Sequence, residues 1–210
     1  MAVREKVVRA AVRLFAEKGF EATTVREIVE TAGVTKGGLY HYFESKDDLL
    51  FEIYAAMLRM QTQRMRTIAE SDMTLPERLH AIIADVVVTS IADLDAATVF
   101  FQSFPLLEKS KQVQVRAERR RYHERVRDLV EEGQRSGIFR DDVPADLVIN
   151  YHYGAIHRLG MWYHADGELS GEQVGEHFAN LMLRSLRPGS ADSVESAGES
   201  YGAPGPGTDW

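Results

Sequence analysis

Between residues 7 and 186 the apolar side chains return every three or four positions, and run after run is closed by glycine, proline or a capping residue. That period buries one stripe of each segment and commits it to helix, while the alternation expected of a half-buried strand is nearly absent. Val7, Val8, Ala11, Leu14 and Phe15 form the first stripe, which Gly19 stops. Thr24-Val-Arg-Glu27 is a capping box opening a helix with Val25, Ile28, Val29 and Ala32 inward, and Gly33 ends it after about two turns. Thr35 caps a third short helix carrying Leu39 and Phe43 inward. Ser45-Lys-Asp-Asp48 then opens a long fourth helix with Leu49, Leu50, Ile53, Tyr54, Met57 and Leu58 on one side. Further helices are predicted over 76–93, 96–107, 109–135, 144–164 and 170–186. The segment 188–210 is rich in Gly, Pro and Ser, has no apolar period, and is expected to be disordered. The fold class is all-α.

Composition narrows the function. The 210 residues include no cysteine, which removes disulfides, thiolate metal sites and thiol catalysis. No apolar run approaches the roughly 18 residues of a membrane span and no signal peptide opens the chain, so a cytoplasmic protein is expected. The net charge is −7, but it is unevenly spread. Eight of the 25 Lys/Arg and eight of the 32 Asp/Glu lie in residues 1–50, leaving 17 and 24 in the other 160. A neutral N-terminal module on an acidic body can still meet DNA if its basic residues share one face.

Helices at 24–32 and 35–42 are joined by Ala-Gly-Val-Thr, the length of a helix-turn-helix connection. In that motif the second helix enters the major groove. Leu39 and Phe43 would face inward and Thr35, Lys36, Tyr40, His41 and Lys46 outward, with Tyr42 partly so. Thr, Tyr and Lys donate to phosphates, and Lys or His to guanine. Gly37 and Gly38 would let backbone N–H groups approach a phosphate. Spacing alone also fits a helical hairpin whose tyrosines pack on a neighbour. The whole run from Thr24 to Leu50, with Gly-x-Leu-Tyr-x-Tyr-Phe-x-Ser-Lys-Asp-x-Leu inside it, resembles the DNA-binding domain of the TetR family of bacterial transcriptional regulators.

That resemblance covers about residues 4–55. It implies a DNA-binding domain over 1–48, a ligand-binding and dimerisation domain over 49–187, nine or so helices and a homodimer on a palindromic double-stranded DNA operator. It also implies that Thr24 and Lys46 bind phosphate, while Thr35, Lys36, Tyr40, His41 and Tyr42 meet the groove and its walls. The last two helices would form the dimer interface through Tyr151, Ala155, Leu159, Val174, Phe178, Leu181 and Met182.

Three phenylalanines, Phe100, Phe101 and Phe104, cannot share one helical face, and with Tyr122 and Val126 they either line an effector cavity or make ordinary core. The helix 109–135 carries Arg116, Arg119, Arg120, Arg121, Arg125 and Arg127, whose forks suit phosphates or simply form a solvated face with Glu118, Glu124 and Asp128. Scattered positions here and through Trp162-Tyr163 are similar to regulators of acyl-CoA and steroid-acid catabolism in the same family. Arg119 and Trp162 therefore join the effector-binding candidates, with an acyl-CoA as the leading effector. A free aromatic or lipophilic compound, or a protein partner, stays open. His152 and His157 are about 140° apart on their helix and make no shared metal face. No nucleotide loop, carboxylate pair or nucleophile motif supports an enzyme, and no cofactor is expected.

Overall fold

A computed structural model describes residues 2–188 as ten α-helical segments and one 3-10 turn, with no strand among the described residues. The segment expected to be disordered lies, except for Pro188, outside the described residues. The helices are α1 (Val3–Lys18), α2 (Val25–Ala32), α3 (Lys36–Tyr40), α4 (Lys46–Ala69), α5 (Leu75–Ala92), α6 (Leu94–Gln102), α7 (Lys109–Arg135), α8 (Ala145–Ile156), α9 (Leu159–Trp162) and α10 (Gly171–Ser185). The 3-10 turn, Phe104–Leu106, lies between α6 and α7.

The helix starts are made by the residues the sequence offers. The Thr24 hydroxyl accepts from Glu27 N–H at 3.3 Å, and the Glu27 carboxylate accepts from Thr24 N–H at 2.8 Å. Ser170 and Gln173 repeat the reciprocal box at α10, with bonds of 3.2 and 2.8 Å. Ser45 accepts from Asp48 N–H to open α4. Gly33 closes α2 at φ 62°, a left-handed conformation that side chains resist.

Two predicted helices are shorter than their apolar pattern. The 96–107 helix ends at Gln102, because Pro105 has no N–H to continue the ladder and the chain tightens into the 3-10 turn. The 144–164 helix is interrupted at His157–Arg158. The step brings Gly160 against α6, where a Cβ would lie 2.4 Å from Thr98 Oγ1.

The buried side chains form two cores, and their seam is not at residue 48. The first unites α1–α3 with Leu49, Leu50, Ile53, Tyr54, Met57 and Leu58 of α4, Ala96, Ala97, Val99 and Phe100 of α6, and Val115 of α7. The second is built from α5, the later turns of α7, α8 and α10, with Leu79, Ile83, Val126, Leu129, Ile149 and Met182 near its middle. Helices α4, α6 and α7 thus reach from one core into the other, so the N-terminal helices rest on the bundle instead of hanging from it.

The closest helix pair is α5 with α10. Gly171, Gly175 and Ala179 recur every four residues on α10, leaving a shallow groove for α5. A Cβ at Gly175 would sit 2.9 Å from Val88 Cγ2 and 3.0 Å from the Ala84 carbonyl oxygen. Alanine favours helix over glycine by about 1 kcal/mol, yet here it meets backbone that cannot step aside. Gly175→Ala is expected to destabilise the fold by about 1–3 kcal/mol, measured by urea denaturation.

Candidate functional site

Helices α2 and α3 present one exposed edge. Leu39 and Phe43 are buried, which turns Tyr40, His41 and Tyr42 outward. The His41 and Tyr42 rings meet edge to face at 4.7 Å between centroids, and the Lys36 ammonium lies 5.7 Å from the Tyr40 ring centre. Thr35 is exposed but its hydroxyl accepts from Gly38 N–H at 3.1 Å, so it is both cap and surface residue. The two glycines differ in use. Gly37 has open space over its Cα, whereas Gly38 sits close to Thr35, Val3 and Val34 and is small for packing. Thr24 is exposed at the start of α2, its hydroxyl hydrogen directed to Glu27 at 2.7 Å. Lys18 from α1 bonds that same carboxylate, and with Thr24 it pulls the Glu27 pKa down to about 2.

Lys46 is placed differently from the expected phosphate ligand. Its ammonium donates to the carbonyls of Phe20 at 2.7 Å, Thr23 at 2.8 Å and Glu21 at 3.3 Å, and lies 4.3 Å from the Phe20 ring centre. All three hydrogens have acceptors inside the protein. The cause is the α1–α2 loop, whose carbonyls have no helical partner and are turned toward the start of α4. Thr23, not singled out in the sequence, is buried in the same loop and donates to the Gly19 and Leu14 carbonyls.

The next two residues of α4 face the other way. Lys111 of α7 reaches Asp47 at 2.6 Å and also bonds Asp48, and Asp47 accepts from Glu108 N–H at 3.1 Å. The lysine bond holds the Asp48 pKa below its ordinary value. This clasp joins the start of α7 to the DNA-binding domain, and no local pattern announces partners more than sixty residues apart.

Farther along α7, Arg119, Tyr122 and His123 border a small cavity of about 20 Å³ with Phe100, Phe101, Tyr153 and His157. Phe101, Arg119 and His157 also wall an outer cleft of about 410 Å³, whose other sides include Phe104, Pro105, Arg158 and Met161. A separate groove of about 450 Å³ between α4 and α7, lined by Phe51, Leu58, Val113 and Arg121, lies nearer the DNA-binding domain. The Phe101 and His157 rings stack at 4.2 Å, and the Arg119 guanidinium lies over Phe100 at 5.7 Å. Burial, and then Arg119, lower the His123 pKa to about 4 and the His157 pKa to about 3.

The expected ligand residues Phe100, Phe101, Phe104, Arg119 and Tyr122 therefore do gather here. Val126 does not: it is fully buried in the second core and borders neither space. Trp162 is outside as well, stacked on Phe178 at 6.2 Å with its rings nearly parallel. Tyr153, His123 and His157 are cavity residues that sequence reasoning passed over, because isolated His and Tyr on a helix usually read as core. The arginines of α7 divide cleanly. Arg120, Arg121 and Arg127 pair with Glu124, Glu118 and Glu131, while Arg116, Arg119 and Arg125 have no carboxylate within 4.0 Å among the described residues.

The apolar faces of α8 and α10 also divide. Leu159, Val174 and Met182 are buried within their own bundle and cannot meet a partner. Phe178 is half-buried beneath Trp162. Tyr151 at 75 % and Leu181 at 62 % exposure stand open, as do Leu147, Ala155 and Met161.

Known proteins with this arrangement agree with it. The family described as "Bacterial regulatory proteins, tetR family" matches residues 7–53, and "Tetracyclin repressor-like, C-terminal domain" matches residues 72–186. The transcriptional repressor KstR2 of Mycolicibacterium smegmatis is 27% identical over 196 residues, covering 90% of this chain and 93% of its own. The structure of the ketosteroid transcriptional regulator KstR2 of Mycobacterium tuberculosis superposes with a TM-score of 0.80 at 27% identity, covering 90% and 96% of the two chains. AibR in complex with isovaleryl coenzyme A and operator DNA shares the fold, with a TM-score of 0.75 at 21% identity over 89% of this chain and 99% of its own.

Two outcomes follow from the geometry. Lys46→Met should lower stability by about 1–3 kcal/mol through loss of its three bonds to loop carbonyls, whereas Tyr40→Ala should leave the melting temperature unchanged; thermal unfolding separates them. His123 and His157 are neutral when folded but take up protons in the unfolded chain below about pH 6.5. Stability therefore falls as pH drops from about 6.5 toward 4, and urea titrations at both ends should show a smaller loss in His123→Gln/His157→Gln.

Proposed function

The chain belongs to the TetR family of bacterial transcriptional regulators, and we propose that it is a homodimeric repressor released from a palindromic operator when an acyl-CoA occupies the cleft and cavity at Phe101 and Arg119. The observation that carries the effector reading is the meeting of an apolar aromatic cleft with Arg116 and Arg158, neither of which has a carboxylate partner among the described residues. Aromatic walls suit an acyl group and free guanidinium forks suit phosphates. The relatives that regulate ketosteroid genes support a bulky, polycyclic acyl group on that thioester.

On this reading Lys36, Tyr40, His41 and Tyr42 enter the major groove, with Thr24, Thr35 and the open backbone at Gly37 on its phosphate walls. Lys46 acts by holding the α1–α2 loop in register and adds only its field to phosphate binding. Dimerisation uses the open face of Leu147, Tyr151, Ala155, Met161, Trp162 and Leu181, exposed apolar area beyond what a free helix pair usually carries. Effector binding displaces α7, and the Lys111 clasp carries that displacement to Asp47 and Asp48 and so to the spacing of the two recognition helices.

Fluorescence anisotropy on DNA from the chain's own upstream region tests this at fixed salt. Acyl-CoA thioesters should release the DNA and coenzyme A alone should not; DNA binding that no thioester disturbs would rule the effector out. Lys36→Ala should reduce the log–log salt slope by about one per protomer, while Leu181→Glu should abolish operator binding by leaving a monomer in sedimentation equilibrium.

A further inference from the structure

We propose that the small cavity at Arg119 and Tyr153 is a carboxylate receptor, in which Arg119 and the Tyr153 hydroxyl bind an anionic terminus that the effector carries at the far end of its apolar body. This rests on the reading of the cleft and cavity as the effector site and adds the chemical class of the end that goes in first.

Arg119 is half-buried, and no hydrogen bond or carboxylate partner engages its guanidinium among the described residues. The group above it is the Phe100 ring, and burial lowers its pKa, as expected of a cation with no counter-ion. Tyr153 supplies the second, independent observation. It is 3 % exposed, it lines the same cavity, and its buried hydroxyl makes no hydrogen bond of good geometry, though the Tyr122 hydroxyl lies close enough to perturb it. An orphaned buried hydroxyl and an unopposed buried cation each cost stability, and both are relieved by one acceptor with negative charge.

The polar part of the wall suits an anion better than a cation. His123 and His157 are neutral there and can donate, while Gln61 and Ser90 bond each other at 3.3 Å. The Tyr54 hydroxyl is taken by the Val99 carbonyl, and the His152 ring is turned to the Val148 carbonyl at 2.9 Å. No Asp or Glu lines the cavity. A cationic ligand would meet Arg119 with nothing to oppose it, and an uncharged carbonyl would leave the arginine's charge uncompensated.

Size decides how much enters. About 20 Å³ admits a group the size of a water, so the tip of a ligand fits once the Phe101 ring gives way, while the body stays in the 410 Å³ cleft beyond Phe101 and His157. The matching effectors are the mono-thioester of a dicarboxylic acid with coenzyme A, or an amphipathic free acid. Both offer the same carboxylate, and titration distinguishes them.

Isothermal titration calorimetry of the full chain with suberyl-CoA, octanoyl-CoA and free octanedioate provides the test. Suberyl-CoA should bind about tenfold or more tighter than octanoyl-CoA. Arg119→Gln should erase that preference. Tyr153→Phe should weaken suberyl-CoA several-fold while leaving the melting temperature equal to the parent's or higher, because it deletes an unbonded hydroxyl. Octanedioate binding that depends on Arg119, with neither thioester bound, would uphold the carboxylate receptor and overturn the acyl-CoA reading. Equal affinity for the two thioesters, a preference that survives Arg119→Gln, or no binding by any of the three would overturn the receptor.

Discussion

Three consecutive side chains in the first turn of α4 hold the molecule's two functions in one geometry. Lys46 reaches back to three carbonyls of the α1–α2 loop, and Asp47 and Asp48 reach across to Lys111 of α7. Remove the backward contact and the loop that sets the angle of α2 loses its acceptor-filling partner. Remove the forward one and α7 no longer touches the DNA-binding domain through charge. The reading surface at Tyr40–Tyr42 is exposed because Leu39 and Phe43 are buried, and they are buried against helices whose spacing this turn fixes.

The same economy of position explains why the arginines on α7 are not equivalent. A helix turns 100° per residue, so neighbours in sequence face different worlds. Arg120 and Arg121 point to solvent and find Glu124 and Glu118 one turn away. Arg119, between the same neighbours in sequence, points inward and finds aromatic rings. Burial first, and then its uncompensated charge, keep His123 and His157 unprotonated.

Features written in local pattern were legible in the sequence. Capping boxes, glycine stops and apolar stripes gave the helices, and α7 begins and ends where the pattern places it. The exposed edge at Tyr40–Tyr42 was legible for the same reason, since inward Leu39 and Phe43 determine what must face out. What the sequence hid depends on distant partners or on which of two apolar environments a residue enters. Lys46 looks like a surface cation until the loop carbonyls arrive beneath it. Val126, Trp162, Leu159, Val174 and Met182 are apolar on amphipathic helices, and periodicity cannot say whether an apolar face meets core, cavity or partner. The break at His157 has no proline to mark it, and Gly171 and Gly175 read as helix weakeners until α5 is seen lying in the groove they leave.

The length of α7 has a geometric consequence. From Gly133, locked under the Phe139 ring, to Lys111 is 22 residues, or roughly 33 Å of rigid helix at 1.5 Å per residue. Rotation of such a rod by about 5° around its far end carries Lys111 through roughly 3 Å, comparable to the reach of the ion pair it makes. Arg119 lies only about 12 Å below Lys111 on the same rod, so a sideways push of about 2 Å at the cavity is magnified at the DNA-binding end. A molecule lodged at the cavity need not rearrange the bundle to be felt at the first turn of α4. It needs only to tilt one lever whose short arm it occupies.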